Sequence, residues 1–306
     1  MKTDMQVKLG PLTLKNPVMT ASGTFGHGKE YQDYFDISTL GAVVVKGIAV
    51  FPSEGNPTPR VAETSSGMLN AIGLQGPGVE KFCTHPDYLP FLRKVNAEVI
   101  VNIWGKTIEQ YGEVAERLDS EPGISALEVN ISCPNVKAGG AAFGTDPKLA
   151  EAVIARVRKS TKLPVIAKLS PNVTDITDFA RVCSGAGADI LSLINTITGM
   201  SIDAYSRKPR IANVTGGLSG PAVKPVALRM VWQVAEAVST PIIGMGGIMN
   251  GIDAAEFMLA GASAVAVGTA IFADPLAPVK VLNELDDFCA TTGVAKVSDL
   301  TGKLEI

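Results

Sequence analysis

Histidine and cysteine are scarce in this chain, with two and four residues among 306. Cys83, Cys133, Cys183 and Cys289 lie far apart, and no two of them form a CxxC pair. With only His27 and His85 beside them, the chain is poorly equipped for a zinc or iron–sulfur site, and no metal site is expected. Proton transfer by histidine has equally little to draw on, which shifts weight to the thiols. A basic excess is also missing: 27 Lys and Arg against 30 Asp and Glu leave a net charge of −3, unlike a nucleic-acid-binding surface. No apolar run reaches the roughly 18 residues of a membrane span. The N-terminus, Met-Lys-Thr-Asp-Met-Gln-Val-Lys, lacks the apolar stretch of a secretory signal. A soluble, cytoplasmic protein is expected. No linker or compositional break divides the chain, so residues 1–306 are expected to form one domain.

What is present is a globular composition, 46% hydrophobic and 19% charged, patterned as short apolar strands alternating with amphipathic helices. A hairpin of Val7–Leu9 and Leu12–Leu14 around Gly10-Pro11 opens the chain. The predicted strands are 18–21, 42–46, 99–103, 126–131, 165–169, 190–194, 242–244 and 264–267. Between them, Ile108, Tyr111, Ala115 and Leu118 share one helix face, as do Leu149, Val153 and Val157, and Val226, Met230, Val234 and Val238. Continuous apolar strands with helices between them imply a parallel sheet covered on both faces. Eight such alternations favour a closed (β/α)8 TIM barrel of the α/β class. An open doubly wound sheet would carry GxGxxG after its first strand, and Ala21-Ser-Gly-Thr-Phe-Gly26 is not that fingerprint. Residues 47–97 and 199–222 exceed ordinary connections and are expected to hold loops or small strands above the barrel mouth.

A barrel places its active site at the C-terminal ends of its strands. From the second strand to the eighth, those ends carry Lys46-Gly47, Asn102, Asn130, Lys168, Asn195-Thr196, Gly246-Gly247 and Gly268-Thr269. Polar or glycine endings in register on so many strands indicate an organised site rather than ordinary loop composition. The glycines after the last two strands, with Thr215-Gly-Gly-Leu-Ser-Gly-Pro221, suit phosphate binding through backbone N–H groups. Lys46 and Lys168 each end an apolar strand at the barrel mouth, where a charge is costly without an anionic partner. A phosphate-bearing cofactor with an electron-accepting ring would give one of them that partner.

The densest stretch is 125–136, Ser-Ala-Leu-Glu-Val-Asn-Ile-Ser-Cys-Pro-Asn-Val. A buried strand ends near Asn130, and Pro134 has no N–H with which to continue a ladder. The loop beyond it, residues 137–144, is small and glycine-rich, suited to moving over a site as a lid. Cys133 is then either an acid/base group or nucleophile at a strand mouth or a small, inert, buried cysteine. The stretch by itself leaves both open.

Val-Val-Val-Lys46-Gly, Asn70-Ala-Ile-Gly-Leu-Gln-Gly-Pro-Gly78, Glu-Val-Asn130-Ile-Ser-Cys133-Pro-Asn135 and Lys168-Leu-Ser-Pro-Asn172 together resemble class 1 dihydroorotate dehydrogenases. Ile194-Asn-Thr196, Gly216-Gly-Leu-Ser-Gly-Pro221, Gly244-Met-Gly-Gly247 and Val267-Gly-Thr269 extend the resemblance over essentially the whole chain. Asn70 to Gly78 with a cysteine base is most similar to class 1B, the catalytic subunit of the NAD-linked enzyme. The resemblance implies an FMN-containing barrel that oxidises dihydroorotate to orotate in pyrimidine synthesis. It makes Cys133 the base that takes the C5 proton, while a hydride leaves C6 for the flavin. It implies FMN contacts at Ser22, Lys46, Gly47, Asn102, Asn130, Lys168, Ile194, Gly220, Gly246, Gly247, Gly268 and Thr269. It places the substrate on Lys46, Asn70, Ala71, Ile72, Gly73, Leu74, Asn130, Asn195 and Thr196, with Asn135 a further candidate. It also implies a second subunit carrying FAD and a [2Fe–2S] cluster, in a heterotetramer built on a homodimer of this chain. Two other readings share the flavin barrel: class 1A, with fumarate as acceptor, and a tRNA dihydrouridine synthase, which the charge balance does not favour.

Overall fold

The computed structural model describes residues 3–131, 137–138 and 141–306. Eight parallel strands form its centre: β1 (Val18–Thr20), β2 (Val43–Ile48), β3 (Val99–Ile103), β4 (Ala126–Asn130), β5 (Val165–Lys168), β6 (Ile190–Leu193), β7 (Ile242–Met245) and β8 (Ala264–Val267). Each pairs in parallel with its sequence neighbour, and β8 returns to β1. Every residue of β3 to β8 is buried, as strands covered on both faces require. The expected (β/α)8 barrel therefore forms, with strand bounds within two residues of those read from the sequence.

The seam between β1 and β2 is unlike the other seven. Backbone pairing there is reduced to an isolated Met19–Ala42 bridge. The Thr20 hydroxyl completes it, accepting the Val44 N–H at 2.9 Å and donating to the Val44 carbonyl at 3.3 Å.

The helices between strands bury the expected stripes, and several of their N-termini are capped by short polar side chains. Thr107 accepts the Gln110 N–H at the start of Ile108–Asp119, and Asp146 accepts that of Lys148 before Pro147–Ser160. Tyr111, Ala115, Leu118, Val153, Val157, Met230 and Val234 are buried; Ile108, Leu149, Val226 and Val238, at the ends of the stripes, are half-buried. The hairpin Val7–Leu9 with Leu12–Leu14 forms as read.

The two long insertions contain more than loops and small strands. Residues 47–97 also hold two short helices, Val79–Thr84 and Leu89–Lys94, whose apolar faces bury Phe82, Leu89 and Leu92. Their strands, Val61–Thr64 and Gly67–Asn70, join Ile197–Met200 and Thr215–Ser219 of the other insertion in one four-stranded antiparallel sheet. Segments nearly 150 residues apart in sequence thereby build one wall over the strand ends.

Candidate active site

A cavity of about 750 Å³ opens at the C-terminal ends of the barrel strands, within the usual range for a small-molecule site. All eight strand ends contribute to its lining, and the insertion sheet supplies the opposite wall.

The base of the cavity is a closed polar network. Glu128 projects from the middle of β4 and is fully buried. Its Oε2 accepts the Asn102 Nδ2–H at 2.6 Å, and its Oε1 accepts the Ser192 hydroxyl at 2.8 Å. The Lys168 ammonium lies 3.6 Å from Oε2 and donates to the Ser22 hydroxyl at 3.3 Å. Five buried side chains from five strands or strand ends thus satisfy one another. The anionic partner expected from a cofactor for one of the two lysines is, for Lys168, a carboxylate of the chain itself.

Lys46 is held differently. The β2–β3 register is irregular between Val45 and Ile48, and such a bulge re-aims a side chain. The Lys46 N–H donates to the Gly26 carbonyl at 2.8 Å instead of continuing the ladder. Among the described residues its ammonium donates to the Gly23 carbonyl, at 3.4 Å, and no carboxylate pairs with it. Burial, then the charges of Arg60 and Lys168, hold its pKa below the usual lysine range. The same surplus of positive charge is felt by His27. Burial, then Lys46, lowers its pKa to about 4, and its Nδ1 is buried without a partner among the described residues. The ring packs against Tyr88 and Phe82, with centroids 4.3 and 5.6 Å away.

Carboxamides line the same cavity as Lys46. Asn195 Nδ2 donates to Asn130 Oδ1 at 3.4 Å, and the Tyr111 hydroxyl donates to the Asn130 carbonyl at 2.8 Å. Asn70 sits at the end of its strand, with Nδ2 donating to the Gly217 carbonyl at 3.4 Å. The following residues, Ala71 to Leu74, run along the cavity and are tied back by Asn56, which donates to the Ala71 and Ile72 carbonyls. Asn172 braces the β6 end, donating to the Thr196 carbonyl at 3.0 Å and accepting the Thr198 N–H at 2.9 Å.

The third part is a glycine rim. Gly246 and Gly247 follow β7 with φ of 129° and 79°, which a side chain rarely tolerates. A Cβ on Gly247 would stand 2.8 Å from the Gly220 carbonyl and 2.9 Å from Lys224 Cβ. Gly268 and Thr269 adjoin, with the Thr269 hydroxyl donating to Ser219 at 2.7 Å.

A family model described as dihydroorotate dehydrogenase matches residues 4–289. The chain belongs to the dihydroorotate dehydrogenase family. It is 58% identical to the protein of Geotalea daltonii named dihydroorotate dehydrogenase B (NAD(+)), catalytic subunit, over 100% of this chain and 99% of that one. Proteins of the same name from Geobacter sulfurreducens and Pelobacter propionicus are 58% and 59% identical, again over at least 99% of each chain.

In this dihydroorotate dehydrogenase chain, the cavity gathers Ser22, Lys46, Gly47, Asn102, Asn130, Lys168, Ile194, Gly220, Gly246, Gly247, Gly268 and Thr269. Asn70 to Leu74, Asn195 and Thr196 line it as well. Cys133 and Asn135 lie outside the described residues, as does part of the 137–144 segment read as a lid; of that segment, 137–138 and 141–142 pair as an antiparallel ladder. The other three cysteines are buried, and burial raises Cys83 to about 11, Cys183 to about 12, and Cys289 above its ordinary value. Thiols held protonated in this way are unsuited to act as bases. Among the described residues, no cluster of His, Cys, Asp or Glu could hold a metal ion, and no helix is long and apolar enough to cross a membrane.

The sequence reading missed Glu128, Ser192 and Arg60. For Glu128 a signal existed: a carboxylate in the middle of Ala-Leu-Glu-Val-Asn, inside a buried strand, is as costly as the lysines that drew attention. Ser192 and Arg60 carry no comparable local mark.

Proposed function

We propose that this chain is the catalytic subunit of an NAD+-linked dihydroorotate dehydrogenase, oxidising (S)-dihydroorotate to orotate in pyrimidine synthesis. The observation that carries the reading is Lys46, a half-buried cation without a carboxylate partner among the described residues, in a cavity it shares with Asn70, Asn130 and Asn195. A small planar dione bearing a carboxylate supplies what that arrangement lacks. Its carboxylate faces the ammonium, and its alternating N–H and C=O edge meets Asn70, Asn130 and Asn195, each able to donate and accept. Backbone of Ala71 to Leu74 and Thr196 complete the substrate wall, with Asn135 a further contact.

The cavity also fits FMN. Gly220, Gly246 and Gly247, whose positive φ and crowded Cβ positions favour glycine, line the cavity with Gly268 and Thr269, and their backbone would hold a phosphate. Ser22, Gly47, Asn102, Asn130, Lys168 and Ile194 then hold the ring system, with the Lys168 ammonium beside its electron-accepting edge. FMN, when bound, supplies the hydride acceptor for substrate C6. Cys133 takes the proton from C5: an ordinary thiol is a few per cent thiolate near neutral pH, enough for a base that must also release its proton. Lys46 and the carboxamides hold the substrate in a fixed orientation for that transfer.

Electrons must leave the chain by another route, because the sequence holds neither a dinucleotide fingerprint nor a cysteine cluster. The proposal therefore includes a second subunit with FAD and a [2Fe–2S] cluster, assembled on a homodimer of this chain as a heterotetramer. On this reading the chain works as one domain in the cytoplasm.

Two measurements test it. Loaded with FMN, the isolated chain is expected to reduce artificial dyes with dihydroorotate but neither NAD+ nor fumarate, and to gain NAD+ reduction when the partner is added. Fumarate turnover at the dye rate would remove the NAD linkage and leave dihydroorotate oxidation standing. Cys133→Ala should still bind FMN and orotate but reduce its flavin about 10²–10⁴-fold more slowly. Near-normal reduction in stopped flow would return Cys133 to the inert thiols.

A further inference from the structure

The reading of the site gives work to Lys168 and Asn102 but leaves Glu128 without any. Its placement is unusual. A carboxylate 1% exposed, in the middle of a barrel strand, carries a large desolvation cost unless its partners repay it. The partners are specific: both oxygens accept from neutral donors, Asn102 at 2.6 Å and Ser192 at 2.8 Å, and Lys168 stands at 3.6 Å. Neither donor requires a charge opposite it, so the packing alone is not a reason for a carboxylate. The lysine supplies one.

We infer that Glu128 is a positioning residue for the cofactor site, holding Asn102 and Lys168 from below and offsetting the lysine's charge so that a bound flavin gives up its electrons more readily. The inference rests on the FMN reading above. Two physical steps lead to it. An ionised carboxylate can only accept hydrogen bonds, so it fixes the sense of the Asn102 amide. The Nδ2–H points down to Glu128, and Oδ1 is left beside Gly47, where a Cβ would stand 3.0 Å from it. An acceptor is thereby presented to the cavity, matching an N–H on the cofactor's ring. The second step concerns charge. A cation alone under an electron-accepting ring stabilises the reduced ring, and in a water-excluded site the effect is strong. An adjacent buried anion weakens that field. The bound cofactor then has a lower potential, which suits a chain that must pass its electrons onward rather than retain them.

The test is the midpoint potential of FMN on the holoprotein, measured by dye-coupled reductive titration without substrate. Glu128→Gln keeps the size and the Ser192 contact but removes the charge. It is expected to shift the balance toward reduced flavin at least tenfold at a given solution potential, about 30 mV for a two-electron couple. Lys168→Met should shift the balance the other way, and the double variant should return to within threefold of wild type. Ser192→Ala, which releases one contact but keeps the carboxylate, should change the ratio by less than twofold. An unchanged or lowered potential in Glu128→Gln, or a double variant that stays displaced, overturns the inference. Should Glu128→Gln fail to accumulate, the double variant decides: recovery of folded protein supports a charge pair, and loss of both reduces Glu128 to a folding role and overturns it. A wild-type chain that does not bind FMN sinks the flavin reading itself, whereas a yellow wild type with an indifferent Glu128→Gln sinks only this inference.

Discussion

The two lysines of the cavity occupy equivalent positions on different strands and live in opposite circumstances. Lys168 is part of a finished network in which every buried polar group has a protein partner. Lys46, re-aimed by an irregularity in β2, has a backbone carbonyl at 3.4 Å and two neighbouring cations. The first arrangement gains from the fold and asks nothing of a ligand. The second is a cost that the fold carries, repaid when an anion arrives. Satisfied polar groups show where a site is built, and unsatisfied ones show what it is built for.

The comparison can be broken most completely at the rim that serves both. Gly247→Leu places a side chain where a Cβ already lies 2.8 Å from a carbonyl, in a left-handed conformation. The expected product is colourless protein, and full FMN occupancy by absorbance would remove the phosphate assignment. Next come the lysines compared without any ligand. Lys168→Met strands the Glu128 carboxylate and should lower the unfolding free energy by about 3–5 kcal/mol. Lys46→Met strands nothing and should leave stability equal or raised; equal losses in urea titrations of the two apoproteins would erase the distinction. With substrate present the order reverses in part, since Lys46→Met should cost about 10²-fold in kcat/KM for dihydroorotate, the scale of a lost charged hydrogen bond.

The smallest effect concerns His27. Its folded pKa, about 4, lies below the ordinary 6.5, so above pH 6.5 it is neutral in both states and stability is at its full value. As pH falls from 6.5 toward 4, the unfolded chain takes up a proton that the folded one refuses, and stability declines. At pH 5 the loss is roughly 2 kcal/mol. His27→Phe, which gives up no bond at the unpartnered Nδ1, should flatten that part of the acid limb. An acid limb in the variant identical to that of wild type would show that His27 is not its source.

How far the sequence could be read depended on whether the cause was local. Apolar periodicity is local, and β3 and β8 ended where the pattern ended. The polar strand ends followed as soon as the barrel was inferred, because the fold itself carries them to one rim. The sheet of 61–70 with 197–219 could not be seen, since antiparallel pairing across such a separation leaves no mark in either segment. Glu128 was hidden differently. It reads as one charged residue in an apolar run, and only the meeting of β3, β4, β5 and β6 reveals that it has three partners.

One detail of the barrel bears on how it comes apart. Seven seams are backbone ladders, indifferent to sequence, but the eighth has two backbone bonds, from the Gly41 N–H to the Val18 carbonyl at 2.8 Å and from the Thr20 N–H to the Ala42 carbonyl at 3.4 Å, and adds to them the hydroxyl of Thr20. A change of that residue to valine, identical in shape, leaves the Val44 N–H and carbonyl facing a methyl group. The cylinder thus has a hem, joined by a single bridge where the other seams are ladders and reinforced there by one side chain. Ser22 and Lys46 stand at the top of that hem on opposite sides, so a parting of this seam would draw apart two walls of the cavity.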